Sequence, residues 1–182
     1  MVLLESIAVP LGSNASDFSL IATDGKTYSL ADFSDAECLV VVFMCNHCPY
    51  VQAVWERLVD LQAKYLDRGV KFVGINPNFH PDYPEETMEK MKEYYDKYKM
   101  NFPYLQDETQ DIARAYDAQC TPDIFVYNKE RKLFYHGRID DSWRDAAKVT
   151  RQELDEAINT LLAGEKLNFE SLPTIGCSIK WQ

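Results

Sequence analysis

Residues 38–66 read CLVVVFMCNHCPYVQAVWERLVDLQAKYL, and the order of features in this stretch decides the fold. Residues 39–44 form a continuous apolar run rich in valine. That is the pattern of a strand covered on both faces, in the middle of a parallel or mixed sheet. From Pro49 the period changes. Val51, Val54, Trp55, Leu58, Leu61 and Tyr65 fall on one stripe of a helix, and Gln52, Glu56, Arg57, Asp60 and Lys64 on the other. Cys45-Asn46-His47-Cys48 lies between the two, so a C-x-x-C falls where a buried strand turns into a helix. Pro49 stands just inside the helix start, where a missing N–H costs nothing.

That placement has chemical consequences. The first turn of a helix carries unpaired N–H groups and the positive end of the helix dipole. A sulfur held there is favoured as thiolate, and the thiolate is the nucleophile. Cys45 is expected to be the more exposed sulfur and the nucleophile. Cys48, one turn in, is expected to resolve a mixed disulfide on Cys45 and release the substrate. This is dithiol–disulfide exchange, which needs two cysteines at this spacing. Asn46 and His47, between the sulfurs, are the positions expected to tune the potential.

With 182 residues, 46% of them hydrophobic, the chain has room for one domain with a full core. A net charge of −10 argues against nucleic acid or an anionic membrane surface as partner. No apolar run is long enough to span a bilayer. The opening MVLLESIAVPLGSNA lacks a basic start, and Glu5 and Pro10 interrupt its apolar stretch, so it is not read as a signal peptide. A reducing cytoplasm is the expected compartment. Five cysteines, an odd number, argue against a pure disulfide scaffold.

Outward from the motif, residues 1–14 read as a loose lead-in. Residues 17–30 read as a hairpin across Asp24-Gly25, followed by a helical turn at 31–33. Residues 70–76 are a second strand, so strand, helix and strand make a βαβ unit with parallel strands. A loop at 77–84 carries His80, and 85–99 is a charged helix whose Tyr94, Tyr95 and Tyr98 are expected to pack on the body. A short extended piece at 102–105 is followed by a helix over 110–116 capped by Thr109. Strands at 124–127 and 132–139 form an antiparallel hairpin, which makes the sheet mixed. A final amphipathic helix covers 151–163, and 164–182 reads as a tail.

Strand, C-x-x-C, proline and long amphipathic helix in that order resemble the thioredoxin superfamily. The opening DFSLIATDGKTYSLADF resembles its peroxiredoxin-like branch, the alkyl hydroperoxide reductase/thiol-specific antioxidant group and its redoxin relatives. Residues 77–99 resemble the insertion that this branch carries. The resemblance covers residues 15–163 and implies an α/β thioredoxin fold: a central mixed sheet flanked by helices, with an N-terminal β-hairpin and a helical insertion. It also implies that Pro122 is a cis-proline facing the C-x-x-C, with Thr121 pairing an extended substrate through its backbone. The implied activity is thiol–disulfide oxidoreduction of a protein or small-molecule disulfide. Electrons would come from an external thiol system such as thioredoxin or glutathione, with no metal or other cofactor. C-x-H-C motifs resemble those of protein disulfide isomerase and DsbA, at about −180 and −120 mV against about −270 mV for thioredoxin. By that analogy His47 raises the potential above thioredoxin's.

The sequence also departs from its relatives. Met44 stands where thioredoxin has tryptophan, and apolar residues around Leu39 stand where thioredoxin has a buried aspartate. Glu37 can serve as the base for Cys48 only if the strand register allows it, so the sequence does not identify that base. One alternative is a peroxiredoxin-like thiol peroxidase. Its P-x-x-x-T-x-x-C pattern, aligned on Cys48, puts Cys45 at the threonine and Val41 at the proline. Another is copper or zinc held by Cys45, Cys48 and a histidine, His47 or His80. Cys38 reads as a small core residue. Cys120 and Cys177 are possible additional thiols, each more simply read as packed or, for Cys177, solvated. His136 reads as a surface or core residue.

Overall fold

The run at 39–44 forms β4, Cys38–Phe43, and all six of its residues are buried. It runs parallel to β5, Val70–Asn76, and antiparallel to β8, Asp123–Asn128. A computed structural model describes residues 3–182 of the chain. In chain order the remaining elements are β1 (Leu3–Glu5), β2 (Ser19–Ile21), β3 (Thr27–Ser29), α1 (Pro49–Tyr65), α2 (Met88–Lys97), β6 (Tyr104–Gln106), α3 (Asp111–Ala115), β7 (Cys120–Thr121), β9 (Leu133–His136), α4 (Glu153–Leu162) and β10 (Ile175–Ser178).

The main sheet has five strands in the order β6-β5-β4-β8-β9. β5 pairs parallel with β4 and β6, and β8 pairs antiparallel with β4 and β9. The sheet is therefore mixed, as expected, with the most apolar strand at its centre. One face packs on α1, α2 and α4, where Val40, Val42, Trp55, Leu58, Met91, Leu154 and Ile158 share a core. The other face buries Leu39, Val41, Phe43, Val73, Ile75 and Phe125 beneath Phe18, Phe33 and Tyr116. Each such side chain contributes about 1.5–3 kcal/mol by leaving water.

The expected hairpin is β2 and β3, paired antiparallel across a turn in which Gly25 has φ 82°. The three tyrosines near α2 pack on the body, and Tyr98 stacks on Trp55 of α1 with ring centroids 4.6 Å apart. The cap of α3 differs from expectation. Gln110 precedes the helix in a left-handed conformation, and the Asp107 carboxylate accepts the Ala113 N–H at 2.8 Å. Thr109 Oγ1 reaches only the Asp111 N–H, at 3.3 Å.

The larger difference is at the two ends. The segments read as a lead-in (1–14) and a tail (164–182) meet in a second sheet, order β1-β10-β7. Both pairings are antiparallel, with Cys177 opposite Leu3 on one side and Thr121 on the other. Strands of two to four residues are too short to show a period in the sequence. Their pairing needs partners at opposite ends of the chain.

Candidate active site

β4 hands the chain to α1 through the C-x-x-C. The Met44 N–H still donates to Ile75 O at 2.9 Å, and the chain then leaves the sheet. Cys48 is the extended N-cap residue of α1, with Pro49 in the first turn. The residues between the sulfurs are clamped from several sides. Asn46 donates its side-chain amide to Glu85 O at 2.7 Å and accepts from Tyr104 Oη at 3.0 Å. Glu86 is fully buried and receives four donors. The backbone N–H groups of Asn46 and His47 reach it at 2.9 and 2.8 Å. Asn76 Nδ2 lies at 2.7 Å and His47 Nδ1 at 2.5 Å from the same carboxylate. The motif loop is thus wrapped around one carboxylate.

Three sulfurs converge here. Cys48 Sγ lies 2.9 Å from Cys177 Sγ and 3.0 Å from Thr121 O. Cys45 Sγ lies 3.2 Å from Thr121 Oγ1. Cys45, Cys48 and Cys177 are all at 0% exposure. The expectation that Cys45 is the exposed sulfur is therefore corrected, because Thr121 lies against Cys45 and β10 lies on Cys48. The Thr121–Pro122 peptide is cis. The backbone edge of Thr121, expected to be open to an extended substrate, is instead paired with β10 of the same chain.

The electrostatics separate the sulfurs. Burial pushes the Cys45 thiol well above the usual range, helped by its contact with Cys48 and by the Glu86 charge. Cys48 is held below the usual range, because Cys177 first and Cys45 second supply donors to its anion, with the Val51 amide adding to them against burial. The Thr121 carbonyl works the other way, accepting a hydrogen bond from the Cys48 S–H while the thiol is protonated. The same contact with Cys48, and burial, push Cys177 up. The cluster thus gives up its first proton from Cys48.

Other residues singled out in the sequence lie as follows. His47, expected to tune the potential, turns its Nδ1 to Glu86, and its ring stacks on Tyr83 with centroids 5.1 Å apart. Glu37 is no base for Cys48. It precedes β4 at the opposite end of the strand and pairs with Lys129 at the surface. Cys120 is buried beside the centre, with its sulfur 3.6 Å from Pro122 O and 3.9 Å from Thr174 O. Cys38 is buried at the far end of β4. His80 accepts from the Asp82 N–H in its loop. His136 is buried and pairs through Nε2 with the buried Asp123, the residue after Pro122, at 2.7 Å.

The model of the AhpC/TSA family matches residues 11–136, more than half of the chain. The chain belongs to the AhpC/TSA family. Its fold is that of thioredoxin-like proteins. A thiol:disulfide interchange protein of the thioredoxin family from Chlorobium tepidum TLS superposes with a TM-score of 0.65 at 21% identity, covering 85% of this chain and 99% of that one. A hypothetical protein of Sinorhizobium meliloti 1021 superposes with a TM-score of 0.93 at 40% identity, covering 98% of each chain. The thiol-disulfide oxidoreductase ResA of Bacillus subtilis is 25% identical over 122 residues, 67% of this chain. The match spans 64% of that relative's length.

Within this AhpC/TSA chain, Glu86 and the contact between Cys48 and Cys177 are what the sequence reading missed. Glu86 sits in an acid-rich run, EETMEKMKEYYDK, where nothing sets one glutamate apart. Cys177 had a chemical signal, as a cysteine beyond the motif, but no sign of its position. Among the described residues, the one group with metal-ligand chemistry is Cys45, His47 and Glu86, whose ligand atoms lie within 4.8 Å of one another. It includes neither Cys48 nor His80. Its histidine and carboxylate already bind each other.

Proposed function

We propose that this chain is a thiol–disulfide oxidoreductase whose reacting pair is Cys45 and Cys48. The observation that carries the reading is the placement of the pair. Both sulfurs lie at the strand-to-helix turn, against Thr121 of the cis Thr121–Pro122 peptide, with Cys48 favoured as the anion. The relatives named as thiol-disulfide oxidoreductases support the same general activity. The substrate is a disulfide, in a protein or a small molecule, and an external thiol such as glutathione or a thioredoxin restores the dithiol. Cys45 passes its proton to the Cys48 thiolate beside it and, as thiolate, attacks one sulfur of the substrate disulfide; one substrate thiolate leaves and takes the proton from Cys48. The Cys48 thiolate then attacks Cys45 Sγ, closing the Cys45–Cys48 disulfide and expelling the second substrate thiolate. Both sulfurs are covered, so a substrate reaches them only when the cover opens. β10 is the part of that cover that lies on Cys48.

The test is an equilibrium titration of the full chain in glutathione buffers, quenched by alkylation and read by peptide mapping. The expected result is a two-electron transition yielding a peptide cross-linked through Cys45 and Cys48. Absence of that cross-link at every potential overturns the reading.

A further inference from the structure

The Thr121 edge is already filled by β10, and β10 brings a sulfur. We propose that Cys177 is a third redox thiol of this centre, and that Cys48 exchanges its disulfide partner between Cys45 and Cys177 within one chain. The inference rests on the Cys45–Cys48 reading above and adds a second bond to it.

Two independent observations carry it. The first is distance. Cys48 Sγ stands 2.9 Å from Cys177 Sγ. A disulfide is about 2.05 Å long, so the bond closes with a movement of about 0.9 Å. The second is how β10 is held. Cys177 stands opposite Thr121 in an antiparallel pair, and β1 pins the other edge of the strand. The residue before it, Gly176, approaches so closely that a Cβ there would lie 2.2 Å from Thr121 O. Only a glycine allows β10 to come this near, so Cys177 is delivered to Cys48 by a fitted backbone contact. Cys120 has no such place, since its sulfur faces the carbonyls of Pro122 and Thr174.

The exchange balances without an outside reagent. Reduction of a substrate disulfide leaves the Cys45–Cys48 bond. Cys177 gives up its proton and its sulfur attacks Cys48 Sγ. The Cys48–Cys177 bond forms, the Cys45–Cys48 bond breaks, and the electron pair goes to Cys45 Sγ, which takes up a proton. One disulfide and one thiol are present before and after. Cys45 is thereby restored as a thiol while the oxidising equivalent waits beneath β10 for the external thiol reductant.

The test uses three full-length proteins: the natural chain, Cys45→Ser and Cys177→Ser. Each is equilibrated with glutathione disulfide, alkylated and mapped, with far-ultraviolet circular dichroism confirming the fold. In Cys45→Ser, Cys48 first takes up glutathione, and Cys177 then displaces it. The expected product is a peptide cross-linked through Cys48 and Cys177, and the natural chain is expected to yield it beside the Cys45–Cys48 peptide. If Cys45→Ser stops at glutathionylated Cys48 and the natural chain shows no Cys48–Cys177 peptide, the proposal is overturned. Should Cys45→Ser fail to fold, the natural chain alone decides by the same peptide. Cys177→Ser separates the two readings. A Cys45–Cys48 bond there upholds the dithiol reading whatever Cys177 does. Its absence, with Cys48–Cys177 present in the other proteins, overturns the dithiol reading and the exchange with it, and leaves Cys48–Cys177 as the one redox pair.

Discussion

Glu86 shows how one side chain changes the reading of a motif. On sequence alone His47 is expected to raise the potential of the C-x-x-C. In the fold its imidazole is bound to a fully buried carboxylate that also gathers the N–H groups of Asn46 and His47. The carboxylate holds the loop in shape, and its charge helps push the Cys45 thiol up. Replacing Glu86 by Gln removes that charge, so thiolate forms more easily at Cys45 and the reduced state gains. The expected effect is a more positive potential, by on the order of 30 mV for each 1.4 kcal/mol of relief, measured by the same glutathione titration. The amide keeps only part of the acceptor capacity, so stability should also fall, by about 1–3 kcal/mol. A potential that is unchanged or more negative would show that Glu86 acts through loop shape alone.

At the scale of elements, two contacts set the site. Between β4 and α1, an all-apolar strand followed by proline and an amphipathic helix places two cysteines at the end of the central strand. Between β10 and β7, a four-residue strand covers the Thr121 edge beside them because Gly176 has no side chain. Gly176→Ala would drive a methyl group into the Thr121 carbonyl. It should cost about 1–3 kcal/mol as an overpacked contact, or roughly 2–4 °C per kcal/mol in the thermal midpoint of a chain this size. It should also lift β10 from Cys48, so alkylation of Cys48 in the reduced protein should quicken in step with the loss. An unaltered midpoint together with an unaltered alkylation rate would mean that β10 does not seal the site.

For the whole molecule, buried acids set the pH dependence of stability. Burial pushes the Cys38 thiol up to about 12 and raises Cys120, Tyr104 and Tyr116. In the unfolded chain thiols lose their protons near about 8.5 and phenols near about 10. A raised folded value means stability that is complete below the unfolded value and is lost as pH rises toward the folded one. For Cys38 that window runs from the ordinary thiol value to about 12. Within it each group removes up to about 1.4 kcal/mol per pH unit. Cys48, with its depressed value, has the opposite sign: its contribution is complete above the ordinary thiol value and shrinks as pH falls below it. Urea midpoints of the reduced protein should therefore fall steadily above about pH 9. The Cys38→Ala protein should show a shallower fall. Equal slopes for the two would rule out Cys38 as a contributor.

The same division runs through the sequence itself. Residues 38–66 specify strand, turn and helix because each rests on local rules: an apolar run, a proline that tolerates the first turn, and a 3.6-residue period. Those rules place Cys45 and Cys48 three residues apart where the strand turns into the helix, and they mark the face of α1 that will be buried. Thr121–Pro122 could be placed only through a family resemblance. Its cis geometry, and its position against the sulfurs, belong to the packing of β8 beside β4. What covers the sulfurs was not legible. Cys177 is 129 residues from Cys48, and Glu86 is 39 from His47. β1, β7 and β10 are too short to carry a pattern, and one glutamate among several has no mark. Burial of the three sulfurs, pairing of the Thr121 edge and the contact of His47 with Glu86 all arise from contacts between distant segments. Such contacts exist only once the chain has closed on itself, so local periodicity cannot encode them.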